Sequence, residues 1–245
     1  MGQVPESKCK RPYLIVGNGR LSNHFRHYFN LLHIPYWHWW RQCGKPFESF
    51  YDVSDRILVL ISDGAIEDFI REHRSSGSKI WIHCSGALST PLADSAHPLM
   101  TFTDELYELD TYREIPFICE KGRRSFVELF PELNNPHYVI PSDWKPLYHA
   151  WCVMSGNFTT LLWQRFFDVL EDQFGISRQI AYPYLKQISM NLQASQIPLT
   201  GPLARNDRAT IQKNLESLAD EPFRQVYQAF VSAYQSLQHS SSEGQ

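Results

Sequence analysis

The sequence predicts an α/β fold, a doubly wound parallel sheet followed by an all-helical C-terminal domain. Three observations carry this. Short apolar runs alternate with helix-period segments over the first 140 residues, as strands joined by helical crossovers do. The runs are apolar throughout rather than at every second position, which marks strands covered on both faces. Beyond Pro141 no strand-like run follows, only helical periodicity. The expected domains are therefore residues 1–141 and 142–245.

In chain order, residues 13–16 form a first apolar strand ending at Gly17, and residues 21–32 carry apolar side chains at helical spacing. Residues 34–40 are a second strand, aromatic and β-branched, and residues 56–62 a third. Asp63 is placed to cap the helix at 65–73, which a Ser-Ser-Gly turn ends. Residues 79–84 are a fourth strand, with others expected near 99–103, 116–119 and 138–140. Residues 147–174 read as one long helix stopped by Gly175. Ser177 caps a second, with Pro183 a candidate kink, Asp207 caps a third, and residues 222–237 form a fourth before a Ser-rich tail expected to fray.

Composition narrows the class. A chain of 245 residues with 43% hydrophobic and 20% charged residues is neither disordered nor fibrous. A net charge of −3 argues against a generic nucleic-acid binder. Cys9, Cys43, Cys84, Cys119 and Cys152 are odd in number and widely spaced, which suggests neither a disulfide framework nor a zinc ribbon. The polar N-terminus lacks the apolar core of a signal peptide, and Glu6 spoils a myristoylation match at Gly2. No apolar stretch approaches membrane-spanning length. The expectation is a soluble cytoplasmic protein. No metal site is expected, since the histidines are scattered.

The sharpest motif is Gly17-Asn18-Gly19-Arg20-Leu21-Ser22, directly after a strand and opening a helix. That is the setting of a dinucleotide-binding turn. The first Gly makes the turn, the second admits the pyrophosphate, and free N–H groups at the helix start meet its charge. Ser22 stands where a third Gly is usual, a small residue that still allows close packing. A tight turn without ligand is the plain alternative. The second strand ends Trp39-Trp40-Arg41-Gln42, with no carboxylate for the ribose hydroxyls of NAD. Arg41 offers a guanidinium to a 2′-phosphate, which favours NADP over NAD, unless Arg41 is simply a surface residue.

Other polar residues fall at expected strand ends: Ser62 and Asp63 after the third strand, His83, Ser85 and Gly86 after the fourth, and His97 before the fifth. Ligands of open α/β sheets lie at such carboxyl ends. The long helix carries His149, Ser155, Gly156 and Asn157 near its start. Gly156, at a cost of about 1 kcal/mol against Ala, suggests a close approach. Arg205, after the Gly201-Pro202 turn, could face an anionic substrate. Each has a structural alternative: a helix cap for Asp63, a packed strand residue for His83, a turn residue for His97, a helix–helix connection for Arg205.

Taken as an ordered series, these motifs resemble the Rossmann-like oxidoreductases that carry a helical C-terminal domain of unknown function. The resemblance rests on Gly17-Asn18-Gly19-Arg20, Ile61-Ser62-Asp63, His83-Cys84-Ser85-Gly86, Ala96-His97-Pro98-Leu99, His149-Ala150, Ser155-Gly156-Asn157 and the segment 199–207, and spans residues 12–235. The family is similar in outline to pyrroline-5-carboxylate reductase, ketopantoate reductase and deazaflavin-dependent NADP reductase. The resemblance implies NADP binding in the first domain, dimerisation through the second and a cleft between them. Asn206 stands where Gly is common, and Asn tolerates left-handed angles.

The expected activity is hydride transfer between NADP and a small carbonyl or imine substrate. Gly17, Asn18, Gly19, Arg20, Leu21, Arg41, Ser62 and Gly86 would bind cofactor. His97 or His149 would donate the proton, Ser85 and Asn157 would orient the substrate, and Arg205 would hold its anionic group. The alternative is a non-catalytic NADP-binding sensor or partner-binding protein. A hydrolase built on Ser85 lacks the Gly-x-Ser-x-Gly turn. The long helix is apolar almost all round, which suggests burial on more than one side, either by a second copy in a homodimer or by the first domain.

Overall fold

The computed structural model describes residues 11–75, 78–196 and 198–242. Cys9 and the N-terminal motifs lie outside the described residues. The chain groups into two compact units, Met1–Trp163 and Gln164–Gln245.

The first unit is built on seven strands: β1 Tyr13–Val16, β2 Tyr36–Trp39, β3 Arg56–Val59, β4 Ile80–His83, β5 Asp94–Pro98, β6 Phe117–Glu120 and β7 His137–Ile140. Their order is β2-β1-β3-β4-β5-β6-β7, parallel except where β5 meets β6. The helices of this unit are α1 Arg20–Leu31, α2 Glu48–Tyr51, α3 Asp63–His73, α4 Leu109–Glu114, α5 Phe126–Leu129 and α6 Lys145–Cys152. Side chains alternate across the sheet, and both faces are covered. Tyr13, Ile15, Leu58 and Ile82 pack with Phe25 and Phe29 of α1 and Phe126 of α5. Leu14, Val16, Ile57, Val59 and Trp81 pack with Ile66 and Ile70 of α3 and Tyr51 of α2. This is the double winding expected.

The fifth strand lies at Asp94–Pro98, earlier than its expected place at 99–103. Its polar residues hid it, but each is satisfied: Arg124 Nη1 lies 2.7 Å from Asp94 Oδ2, and Lys145 Nζ lies 2.7 Å from Ser95 Oγ. Asp63 is not the cap of α3. Ser62 takes that position without a side-chain bond, and the Asp63 carboxylate turns to Ser85 instead.

The long helix begins at Lys145 with Pro146 in its first turn, where a missing N–H costs nothing. It continues through a π-helical stretch, Val153–Phe158, into α7, Thr159–Asp168, and a second π stretch, Val169–Gln173. In the second unit, Ser177 Oγ and Asp207 cap the helical turns that follow them, as expected. Pro183 falls at the start of α8, Tyr182–Ala194, so it opens that helix rather than kinking it. Helix α9 is Arg208–Ser217, and α10 runs from Phe223 to Ser242, past the expected end at 237. The four described cysteines are free thiols. Among the described residues no helix is long and apolar enough to cross a membrane, and no cluster could hold a metal ion.

Candidate functional site

Trp39, Val16, Val59 and His83 stand level in register, so the carboxyl ends of β2, β1, β3 and β4 form one edge. The chain reverses side between β2 and β3 about β1, and the glycine turn sits at that switch point. Gly17 has φ +114°, and a Cβ there would stand 2.1 Å from the Leu60 carbonyl oxygen. Only glycine fits. Its carbonyl accepts bonds from Ser22 Oγ at 2.7 Å and His38 Nε2 at 2.8 Å. Gly19 precedes α1, no side chain caps that helix, and a Cβ at Gly19 would meet nothing within 4 Å. A tight turn with open space over an uncapped helix start fits a pyrophosphate. Asn18 and Arg20 are exposed, with Arg20 Nε 3.0 Å from Asp104, and Leu21 packs on the core. Arg41 is exposed and Ser62 sits at the head of α3.

A second cluster forms further along the same edge. Gly86 lies against two imidazoles: a Cβ on it would stand 2.3 Å from His149 Cδ2 and 3.0 Å from His97 Nε2. The two rings are 5.8 Å apart and perpendicular. His97 Nδ1 is 2.9 Å from the Tyr148 hydroxyl, so Nε2 is the nitrogen left facing Gly86. Burial, then the charges of His149 and Lys145, push His97 down to about 4, so it is neutral at pH 7. Ser85 Oγ donates to Asp63 Oδ2 at 2.5 Å and accepts from the Leu88 N–H at 3.0 Å. His83 is fully buried. Its Nδ1 accepts from the Ser85 N–H at 3.2 Å, its Nε2 has no partner, and burial pushes it down to about 3. It is a packed strand histidine that shapes the turn. Burial raises the Cys84 and Cys119 thiols, so neither is a thiolate nucleophile.

Lys145 explains how α6 delivers Tyr148 and His149. Its ammonium is buried and bonds Glu120 Oε1 at 2.8 Å, Ser95 Oγ and the Leu88 carbonyl. Tyr148 and His149, three and four residues on, share its face of the helix. Neither Lys145 nor Tyr148 is singled out by the sequence reading, although that spacing was there to be read. Asn157 is exposed and about 12 Å along the helix from His149, so the chain does not bring it to the imidazoles. Gly156 has nothing within 4 Å of a Cβ, so no close approach explains it within the described chain. Arg205 is exposed in the second unit, beside Asn206 at φ +53°, the left-handed angle expected of that Asn.

Fold and edge together define a Rossmann-type α/β protein with a helical C-terminal part. Residues 119–234 match the family model described as a domain of unknown function, DUF2520. Among solved structures the chain is similar to a Bacteroides fragilis protein named as a putative NADP oxidoreductase, at 17% identity and TM-score 0.73 over 92% of this chain and 98% of that one. It is also similar to an Aspergillus terreus reductive aminase in complex with NADPH and ethyl levulinate (12%, TM-score 0.59, 96% and 95%). A third is Plasmodium falciparum pyrroline carboxylate reductase with NADP bound (14%, TM-score 0.54, 92% and 96%). At these identities the likeness is one of fold. No curated protein sequence matches the chain.

Proposed function

We propose that this chain is an NADP-dependent oxidoreductase acting on a small carbonyl or imine substrate. The observation that carries the reading is one sheet edge holding both an uncapped glycine turn and two imidazoles against Gly86. Relatives in fold bind NADPH or NADP, which supports the same cofactor here. When bound, the nicotinamide supplies or accepts the hydride. Gly17, Asn18, Gly19 and the backbone of Arg20 and Leu21 receive the pyrophosphate, with Arg41 beside the 2′-phosphate. Ser62 and Gly86 line the nicotinamide half, and the Asp63–Ser85 pair keeps that wall rigid.

The two imidazoles divide the work. His97, neutral and tied to Tyr148 through Nδ1, presents Nε2 to orient the carbonyl or imine. His149, half-exposed, is the proton carrier in exchange with solvent. Asn157, well along the helix from the imidazoles, and Arg205, in the second unit, are given no role at this edge. The protein is read as a homodimer in the cytoplasm, a compartment reading that rests on its odd number of widely spaced cysteines.

The test is NADPH oxidation by purified protein across cyclic imines, oxo-acids and carbonyl–amine pairs. His149→Phe should lower kcat about 100-fold or more while NADPH affinity holds. Tight NADPH binding with no turnover of any substrate would favour the sensor reading instead.

A further inference from the structure

We propose that Arg26, held in place by His38 and Asn18, is the residue that selects a 2′-phosphorylated cofactor. The proposal rests on the NADP reading above and deepens it.

Arg26 lies nearly two turns into α1 and is only part exposed. Its Nη1 is 3.0 Å from His38 Nδ1 and 3.5 Å from Asn18 Oδ1. A guanidinium only donates, so His38 Nδ1 accepts, and the ring proton sits on Nε2. That proton is given to the Gly17 carbonyl at 2.8 Å. Trp40 stacks on the imidazole with ring centres 4.6 Å apart. A chain of contacts thus runs from Arg26 through His38 to the first glycine of the cofactor turn. Burial, with Arg26 adding to it, lowers the His38 pKa, so the imidazole stays an uncharged bridge.

Placement and charge together mark Arg26. Many arginines sit on carboxylates, such as Arg20 on Asp104, Arg71 on Glu67 and Arg165 on Glu221. Others, such as Arg56 and Arg74, are spent on backbone carbonyls. Among the described residues Arg26 has no carboxylate partner, and its Nε and Nη2 make no bond. It borders both the x residue of the Gly-x-Gly turn and the last residues of β2, where the adenosine ribose of a dinucleotide lies. A part-buried guanidinium, fixed through one nitrogen and with its remaining edge unfilled, suits a phosphate dianion. Arg41, exposed just after Trp40 in the chain, is a second cation near the end of β2 in sequence.

Binding of NADPH, NADH, adenosine 2′,5′-bisphosphate and 5′-AMP is measured by calorimetry on the full chain and on Arg26→Leu and Arg26→Lys. Loss of a charged bidentate contact predicts that Arg26→Leu weakens NADPH and the bisphosphate about 10- to 100-fold, leaving NADH and 5′-AMP within about threefold. Arg26→Lys, which keeps the charge but not the fork, should fall between. Equal weakening of all four ligands would mean that Arg26 only braces the turn and would overturn the proposal, as would an unchanged preference for the 2′-phosphate. If the unsubstituted chain binds no nucleotide, the cofactor reading fails first.

Discussion

Gly86 and Gly17 are small for different reasons, and substitution separates them. At Gly86 the obstacle is side chain: an added methyl would drive into His149 and crowd His97. Gly86→Ala should lower turnover tenfold or more, as about 1.4 kcal/mol of misplacement would, while the melting temperature falls little because His149 is half-exposed. At Gly17 the obstacle is backbone, the Leu60 carbonyl, and φ is positive as well. Gly17→Ala should cost about 2 kcal/mol or more of stability, read from urea denaturation. The buried histidines set the acid response. His83 and His97 have folded values near 3 and 4, below the 6.5 of an ordinary His. Below pH 6.5 the unfolded chain takes up protons that the folded chain refuses. Stability should therefore be full above pH 6.5 and decline as pH falls toward 4, by up to about 1.4 kcal/mol per pH unit for each group. A urea midpoint that does not move between pH 7 and pH 5 would contradict this.

Among the elements, α6 carries the most consequence. It is held at its first residue by Lys145, whose buried partner Glu120 closes β6, so one ion pair fixes how the Tyr148–His149 face meets β5. Burial pulls the Lys145 pKa down, and the Glu120 carboxylate opposes that. Lys145→Met strands a buried carboxylate and should cost about 3–5 kcal/mol, whereas Lys145→Met with Glu120→Leu should recover much of it. If positioning is the role, the double variant regains stability but not the catalytic pH profile. Chemical denaturation and a pH–rate series separate the two readouts.

For the whole molecule the telling feature is an apolar row that starts at Trp144, just ahead of the long helix, and continues along it. Trp144, Leu147, Trp151, Met154, Phe158 and Leu161 recur at alternating steps of three and four residues, and each is 44–64% exposed. That is the spacing of a seam between helices. A contiguous apolar row of this kind is rarely left to water. It supports the proposed pairing of two copies. Light scattering should give twice 28.6 kDa, and Trp151→Glu with Phe158→Glu should give the monomer mass. A monomer in the unsubstituted protein would remove the homodimer from the reading.

Strands β1, β3 and β4 and the turn after β1 were legible because their causes are local. A run such as Tyr13–Val16 is apolar on both faces, and the turn that follows needs a glycine whose φ no other residue adopts easily. Capping at Ser177 and Asp207 is local in the same way. β5 escaped because its Asp94, Ser95 and His97 look like loop until Arg124, Lys145 and Tyr148 arrive to satisfy them. Asp63 reads as a cap because its partner Ser85 is 22 residues away. Gly86 and His149 each stood out on the chain, but their contact did not. Hydrophobic period and backbone preference act over a few residues, and so they specify elements and turns. Which strand end a helix docks on depends on long-range packing and on burying polar groups in pairs, and those choices brought Gly86, His97, Tyr148, His149 and the Lys145–Glu120 pair together.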